Sequence, residues 1–128
     1  MNDSKKCSIF CDIDGTLIKY REFNQYDKKE AKPIESIINR INKAYDKNHM
    51  IILTTARPEY LRIFTMNELN NLQIKYHTLL MSINRGPRIL INDYENTNNY
   101  RAFNFSVKRN EGIVENSHED YLWNHIIK

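Results

Sequence analysis

The chain has 128 residues, enough for one compact domain that buries a core without disulfides or structural metal. An apolar fraction of 41% and an aromatic fraction of 11% exclude wholesale disorder. The net charge of +3 is spread over scattered pairs, Lys5-Lys6, Lys28-Lys29 and Lys108-Arg109, so it makes no basic stripe and argues against a nucleic-acid partner.

The first predicted element is a short buried strand, Cys7-Ser-Ile-Phe-Cys, ended by Asp12-Ile-Asp-Gly, with Gly15 as the place for a sharp turn. Residues 16–32 are polar and aromatic without a clean period, a loop with a small hairpin expected around 19–23. Pro33 is expected to open a helix, where its missing N–H costs nothing. Ile34, Ile37, Ile38, Ile41 and Tyr45 then form one buried stripe. A second strand is predicted over 49–55. Pro58 opens a second helix turning Leu61, Phe64, Leu69 and Leu72 inward, and a third strand covers 76–81. A fourth, Ile89-Leu-Ile, is expected to end at Asn92-Asp93. A fifth, over 102–107, alternates Phe103, Phe105 and Val107 with Asn104 and Ser106. Ser117 with Asp120 resembles a helix N-cap before Tyr121, Trp123 and Ile126. Residues 112–128 read as an appended helix on a single domain spanning 1–128.

Strand, helix, strand, helix, strand predicts a Rossmann-like α/β sandwich with a mostly parallel central sheet. In such sheets the site lies at the carboxyl ends of the strands. Three predicted strands end in polar groups: Asp12 and Asp14, Thr54 and Thr55, Asn92 and Asp93. Asp12 and Asp14 leave one face of a strand tip, where two carboxylates repel unless a cation offsets them. Asp93 can add a third oxygen, and magnesium suits such a set. Taken alone, an Asp-x-Asp-Gly string reads equally well as a turn.

Cys7 and Cys11 share a strand and cannot form an ordinary disulfide at that spacing. Lone thiols suit a reducing compartment. The four histidines lack zinc-type spacing. The polar opening residues carry no signal-peptide pattern, and no apolar run approaches the ~18 residues that span a bilayer. The expected setting is the cytoplasm, away from membranes.

Asp12-Ile-Asp-Gly-Thr-Leu, straight after an apolar strand, resembles the first signature of the haloacid dehalogenase superfamily. Ile51-Ile-Leu-Thr-Thr-Ala-Arg-Pro resembles its second motif, and Ile89-Leu-Ile-Asn-Asp its fourth, in the same order along the chain. The resemblance covers residues 7–107. It implies a phosphohydrolase in which Asp12 is the nucleophile and forms an aspartyl-phosphate. Asp14 would protonate the leaving oxygen and then activate water. Asp14 also points to phosphoryl chemistry, because the dehalogenases of the superfamily lack this second Asp. Mg2+ would be held by Asp12, the backbone carbonyl of Asp14, and Asp93. Gly15 and Thr16 would line the phosphate, and Thr55 would hydrogen-bond a phosphoryl oxygen. Arg57 reads equally as a substrate contact or a surface charge. For the basic third motif Arg85 is expected first, Arg88 second, with Lys75 at the wrong end of its strand.

Neither 16–32 nor the connection from 81 to 89 can hold a cap domain, so the site is expected to be open unless a second copy covers it. The stretch from Arg85 to Asp93, with Phe103-Asn and Arg109-Asn-Glu-Gly, also resembles small members of surface-polysaccharide gene sets. That resemblance implies a sugar-phosphate substrate. Two other readings stand beside it: a nucleotide or nucleic-acid-end phosphatase, and a phosphate-binding regulatory domain without turnover.

Overall fold

The computed structural model describes residues 5–128. The polar opening read for a signal peptide lies, for residues 1–4, outside the described residues. Three parallel strands form the sheet in the order β1 (Ser8–Asp12), β2 (Met50–Thr54), β3 (Thr78–Leu80). Register aligns Asp12 with Thr54 and Thr54 with Leu80, so the carboxyl ends of all three strands finish side by side. Ile51 and Leu53 on β2 are fully buried, as the middle strand of a parallel sheet requires. The expected parallel α/β architecture is therefore present.

Helix α1 (Glu35–Asp46) crosses from β1 to β2 and buries Ile37, Ile38, Ile41 and Ala44. Each such isoleucine contributes about 1.5–3 kcal/mol by leaving water. Pro33 does not open this helix. It lies in an extended segment bridged antiparallel to Ile18, and Ile34 N–H donates to Leu17 O at 2.8 Å. The same pairing brings the two ends of the 16–32 loop together, with Lys19 N–H donating to Lys32 O at 2.8 Å. In place of a hairpin at 19–23, the loop carries a 3₁₀ turn, Phe23–Gln25.

Helix α2 (Arg62–Asn71) follows a 3₁₀ turn, Glu59–Leu61, instead of starting at Pro58. Its fully buried residues are Thr65 and Leu69, so a polar group occupies part of the face expected to be apolar. Helix α3 (His118–Ile126) is capped as the sequence predicts, with Ser117 Oγ accepting from Asp120 N–H at 3.2 Å. It packs on the core through Trp123, and Asp120 pairs with Arg40 of α1.

Residues 84–107 differ from expectation. Neither the strand at 89–91 nor the one at 102–107 forms; Ile89 is 85% exposed and Ile91 92%. Three apolar residues between Pro87 and Asn92 bury too little to hold a strand without a neighbour, and local periodicity does not say whether a neighbour receives them. Alternation survives in part at the second segment. Phe105 meets Trp123 edge-on, and Val107 packs against the core without a ladder. The described sheet thus has β1 and β3 at its edges.

Two features of the frame carry predictions. Gly112 has φ +66°, and a β-carbon there would lie 2.1 Å from Ser36 Oγ and 2.9 Å from Ile34 Cγ2. Gly112→Ala is expected to destabilise by about 2 kcal/mol or more, from left-handed strain plus overpacking, read as a lower urea midpoint at constant slope.

His49 is buried between the chain ends: Cys7 N–H donates to its Nδ1 at 2.9 Å, and its Nε2 lies 3.2 Å from Lys128 O. Nδ1 accepts, so the ring is neutral with its proton on Nε2, donating to that carbonyl. Burial lowers its pKa from the usual 6.5, although the Lys128 carbonyl opposes the shift. The unfolded chain then binds the extra proton first. Stability from this group is complete above about pH 6.5 and is lost as pH falls toward the folded value. Melting temperatures measured from pH 7.5 to 5 should fall more steeply in the wild type than in His49→Gln.

Candidate active site

The site grows from the tip of β1. Ile13 N–H continues the ladder to Thr54 O at 3.2 Å, and Ile13, Leu17 and Ile18 are fully buried. These three anchors hold a tight turn that leaves Asp12 and Asp14 at its polar edge. Gly15 makes the turn with φ +91°, a conformation costly for residues with a β-carbon. Its N–H is used up in closing the turn on Ile18 O at 2.7 Å, so it does not point at a ligand. Thr16 donates its hydroxyl to Asp12 Oδ2 at 3.2 Å.

Asp12 and Asp14 have different surroundings. The Asp12 side chain is partly open to solvent, and its Oδ1 faces Arg88 Nη2 at 3.5 Å. Burial raises the Asp12 pKa from its ordinary value; the Thr16 hydroxyl and the Arg88 charge pull it down, while Asp14 pushes it up. Burial also pushes the neighbouring Cys11 thiol up to about 12, aided by Asp12, so Cys11 stays protonated and inert.

Asp14 is gripped. Arg57 Nη2 donates to its Oδ1 at 2.8 Å and Arg57 Nε to its Oδ2 at 3.0 Å, a two-point fork. The hydroxyls of Tyr26 and Thr55 reach the same Oδ2 at 3.4 and 3.5 Å. Arg57, whose side chain is fully buried, continues inward: Nη1 donates to Glu68 Oε1 at 2.8 Å and to Thr65 Oγ1 at 3.1 Å. Burial alone would lower the guanidinium pKa, but the bonds and charges of Asp14 and Glu68 outweigh it and hold Arg57 above its ordinary value. Glu68 Oε1 also accepts from Arg21 Nη2 at 2.8 Å, and the Tyr26 ring lies against both guanidiniums. One network thus links the β1 tip, the 16–32 loop, the end of β2 and α2.

The loops beyond β2 and β3 brace one another. Ser82 N–H donates to Arg57 O at 2.8 Å, and Ile83 N–H to Thr55 O at 3.2 Å. The following turn curls so that Arg88 Nη1 donates to Asn84 O and Gly86 O, which aims its other nitrogen at Asp12.

Several expected site residues come together and others do not. Asp12, Asp14, Thr16, Thr55, Arg57 and Arg88 meet at the tips of β1 and β2. Thr55 is buried and bonded to Asp14, with no hydroxyl turned to solvent. Arg57 is fully buried and paired with two acids, so it is not a surface charge. Arg88, not Arg85, reaches Asp12, because the expected strand that would have carried Arg88 to the far end of the sheet is absent. Arg85 is exposed and makes no side-chain bond among the described residues. Lys75 pairs with Asp46. Asp93 is 81% exposed and pairs loosely with Arg101 at 3.4 Å, apart from the Asp12 tip. Among the described residues no three His, Cys, Asp or Glu side chains converge on a metal. Arg21, Tyr26, Thr65 and Glu68 escaped sequence reasoning. The available signal was Thr65 and Glu68 at i, i+3 on one helical face within reach of an arginine.

The paired carboxylates Asp12 and Asp14 thus sit at the carboxyl edge of a parallel α/β sheet, beside the ends of β2 and β3. The chain belongs to the haloacid dehalogenase-like hydrolase family, whose model matches residues 9–127. Two solved structures share the fold. A chain of the Pnkp1/Rnl/Hen1 complex superposes with a TM-score of 0.54 at 24% identity, over 70% of this chain and 32% of that one. The present chain therefore spans about a third of that relative's length. A target protein from Vibrio cholerae superposes with a TM-score of 0.50 at 13% identity, over 93% of this chain and 98% of that one. No curated protein is significantly similar in sequence. No helix among the described residues is long and apolar enough to cross a membrane.

Proposed function

We propose that the protein is a magnesium-dependent phosphohydrolase that cleaves phosphomonoesters, phosphosugars among them, through an aspartyl-phosphate on Asp12. One observation carries this reading: two carboxylates leave the same strand tip into unlike environments. Asp12 is reachable from solvent and faces a cation; Asp14 is immobilised by Arg57. Access from solvent lets Asp12 meet a phosphoryl group, and the fork holds Asp14 fixed beside it.

An Asp12 carboxylate oxygen attacks phosphorus as the ester P–O bond breaks, and the leaving oxygen takes a proton from Asp14. Water then returns a proton to Asp14 as its oxygen attacks phosphorus, freeing phosphate and the Asp12 carboxylate. Arg88 sits where it can neutralise the phosphoryl oxygens.

The donors at the β1 tip fit magnesium, which binds through one or two carboxylates together with substrate phosphate. Asp12 and the Asp14 carbonyl would hold it, and it would supply charge neutralisation for an anion meeting an anion. Asp93 would join them as the third ligand that the family resemblance implies. Release of phosphate from p-nitrophenyl phosphate, abolished by EDTA and restored by magnesium, tests the reading; no release at any magnesium concentration defeats it. Asp93→Ala is expected to raise the magnesium needed for half-maximal rate by about tenfold or more. An unchanged titration removes Asp93 from the site.

A further inference from the structure

A second cation lies beside the Asp12–Thr16 turn and has no part in the reaction above. Residues 108–112 fold back onto that turn. Asn110 N–H donates to Gly15 O at 2.8 Å, and Asn110 Oδ1 accepts from Tyr20 N–H at 2.6 Å. These bonds seat the stem of Arg109 on Gly15, where a β-carbon would come within 3.1 Å of Arg109 Cγ. The Arg109 guanidinium lies over the Tyr20 ring, 4.1 Å from its centre.

Six of the eight arginines pair with a carboxylate. Arg85 and Arg109 have no such partner among the described residues, and of these two only Arg109 is fixed in place. Stacking on Tyr20 covers a face of the guanidinium, and among the described residues the N–H groups at its edge meet no acceptor. A planar edge of that kind matches the two oxygens of a carboxylate or phosphate. Arg88 already answers the charge of one phosphoryl group at Asp12. A substrate with a single anion leaves Arg109 idle, whereas a substrate with two uses both.

We propose that Arg109, braced by Tyr20, is a second anion-binding subsite at the mouth of the site, and that the preferred substrate is a phosphomonoester carrying a second anionic group, phosphate or carboxylate. The turnover part rests on the phosphohydrolase reading; the binding part does not.

The test compares four substrates in the presence of magnesium: p-nitrophenyl phosphate, glucose 6-phosphate, 6-phosphogluconate and fructose 1,6-bisphosphate. They are assayed with the wild type, Arg109→Met, which keeps the stem, and Arg109→Lys, which keeps the charge. The wild type should favour one or both of the doubly anionic sugars over glucose 6-phosphate by roughly tenfold to a hundredfold, mostly in KM, the worth of one charged hydrogen-bonded contact. Which of the two gains more tells carboxylate from phosphate. Arg109→Met should erase the preference and Arg109→Lys should retain part of it. No preference in the wild type, or one that survives in Arg109→Met, overturns the subsite. Calorimetry with inorganic phosphate and pyrophosphate gives a readout free of turnover. The ratio of their affinities should favour pyrophosphate in the wild type and collapse in Arg109→Met; an equal ratio in both proteins overturns the proposal. Failure to hydrolyse any of the four substrates defeats the phosphohydrolase reading, and the calorimetric ratio still decides the subsite.

Discussion

Asp12→Asn is expected to lower phosphate release by about 10⁴-fold or more while leaving the fold intact, the scale seen when a nucleophile is removed. The amide keeps the shape and can still accept from the Thr16 hydroxyl, so local packing is preserved. It cannot become an acyl phosphate at a useful rate, because its oxygen lacks the charge that attacks phosphorus. Folding stability should stay within about 0.5 kcal/mol of the wild type, since the lost Arg88 contact is partly exposed and the lost repulsion from Asp14 works the other way. Single-turnover phosphate release and a thermal melt on the same sample check both halves. A variant that releases phosphate at the wild-type rate places the nucleophile elsewhere.

Arg57→Ala should act on stability first. It leaves Asp14 without its cation and Glu68 with Arg21 alone, each acid 13% exposed, and breaking a buried pair by removing one partner costs about 3–5 kcal/mol. Against a typical domain stability of about 5–15 kcal/mol, that is a large fraction. Arg57→Lys should recover little, because a point charge cannot span Asp14, Glu68 and Thr65 at once. Combining Arg57→Met with Glu68→Gln should cost less than the sum of the single changes, since the second removes an acid that the first deprives of one of its two cations. Urea unfolding of the four proteins gives the coupling. Strict additivity would show that the network contributes only through packing.

The contrast between what local pattern reveals and what it hides follows from these residues. β1, β2 and α1 were legible because their apolar residues repeat at the period of the element that buries them. The Asp12–Thr16 turn was legible because its glycine and its acids fall within five consecutive positions. Arg57 was not, since its partners lie on other elements, 43 positions back at Asp14 and 11 ahead at Glu68, and nothing local distinguishes a buried, paired arginine from a free one. Helix α2 misled for a related reason: its inward face receives a guanidinium, so Thr65 replaces the apolar residue that periodicity anticipates. The run at 89–91 has the composition of a strand, but composition does not supply the partner that would make it one.

The neck of the 16–32 loop has a consequence for the wider history of such chains. Ile18 and Pro33 touch, so the segment between them leaves and re-enters the core through one doorway. The entropic cost of closing a flexible loop grows only with the logarithm of its length, so a doubling adds about 0.6 kcal/mol. The number of residues beyond the doorway is therefore nearly a free variable. A lineage could lengthen that excursion into a roof over Asp12, or trim it to its present span, without redrawing the sheet beneath. Arg21 and Tyr26 mark the limit of that freedom, because any longer excursion must still return them to Glu68 and Asp14.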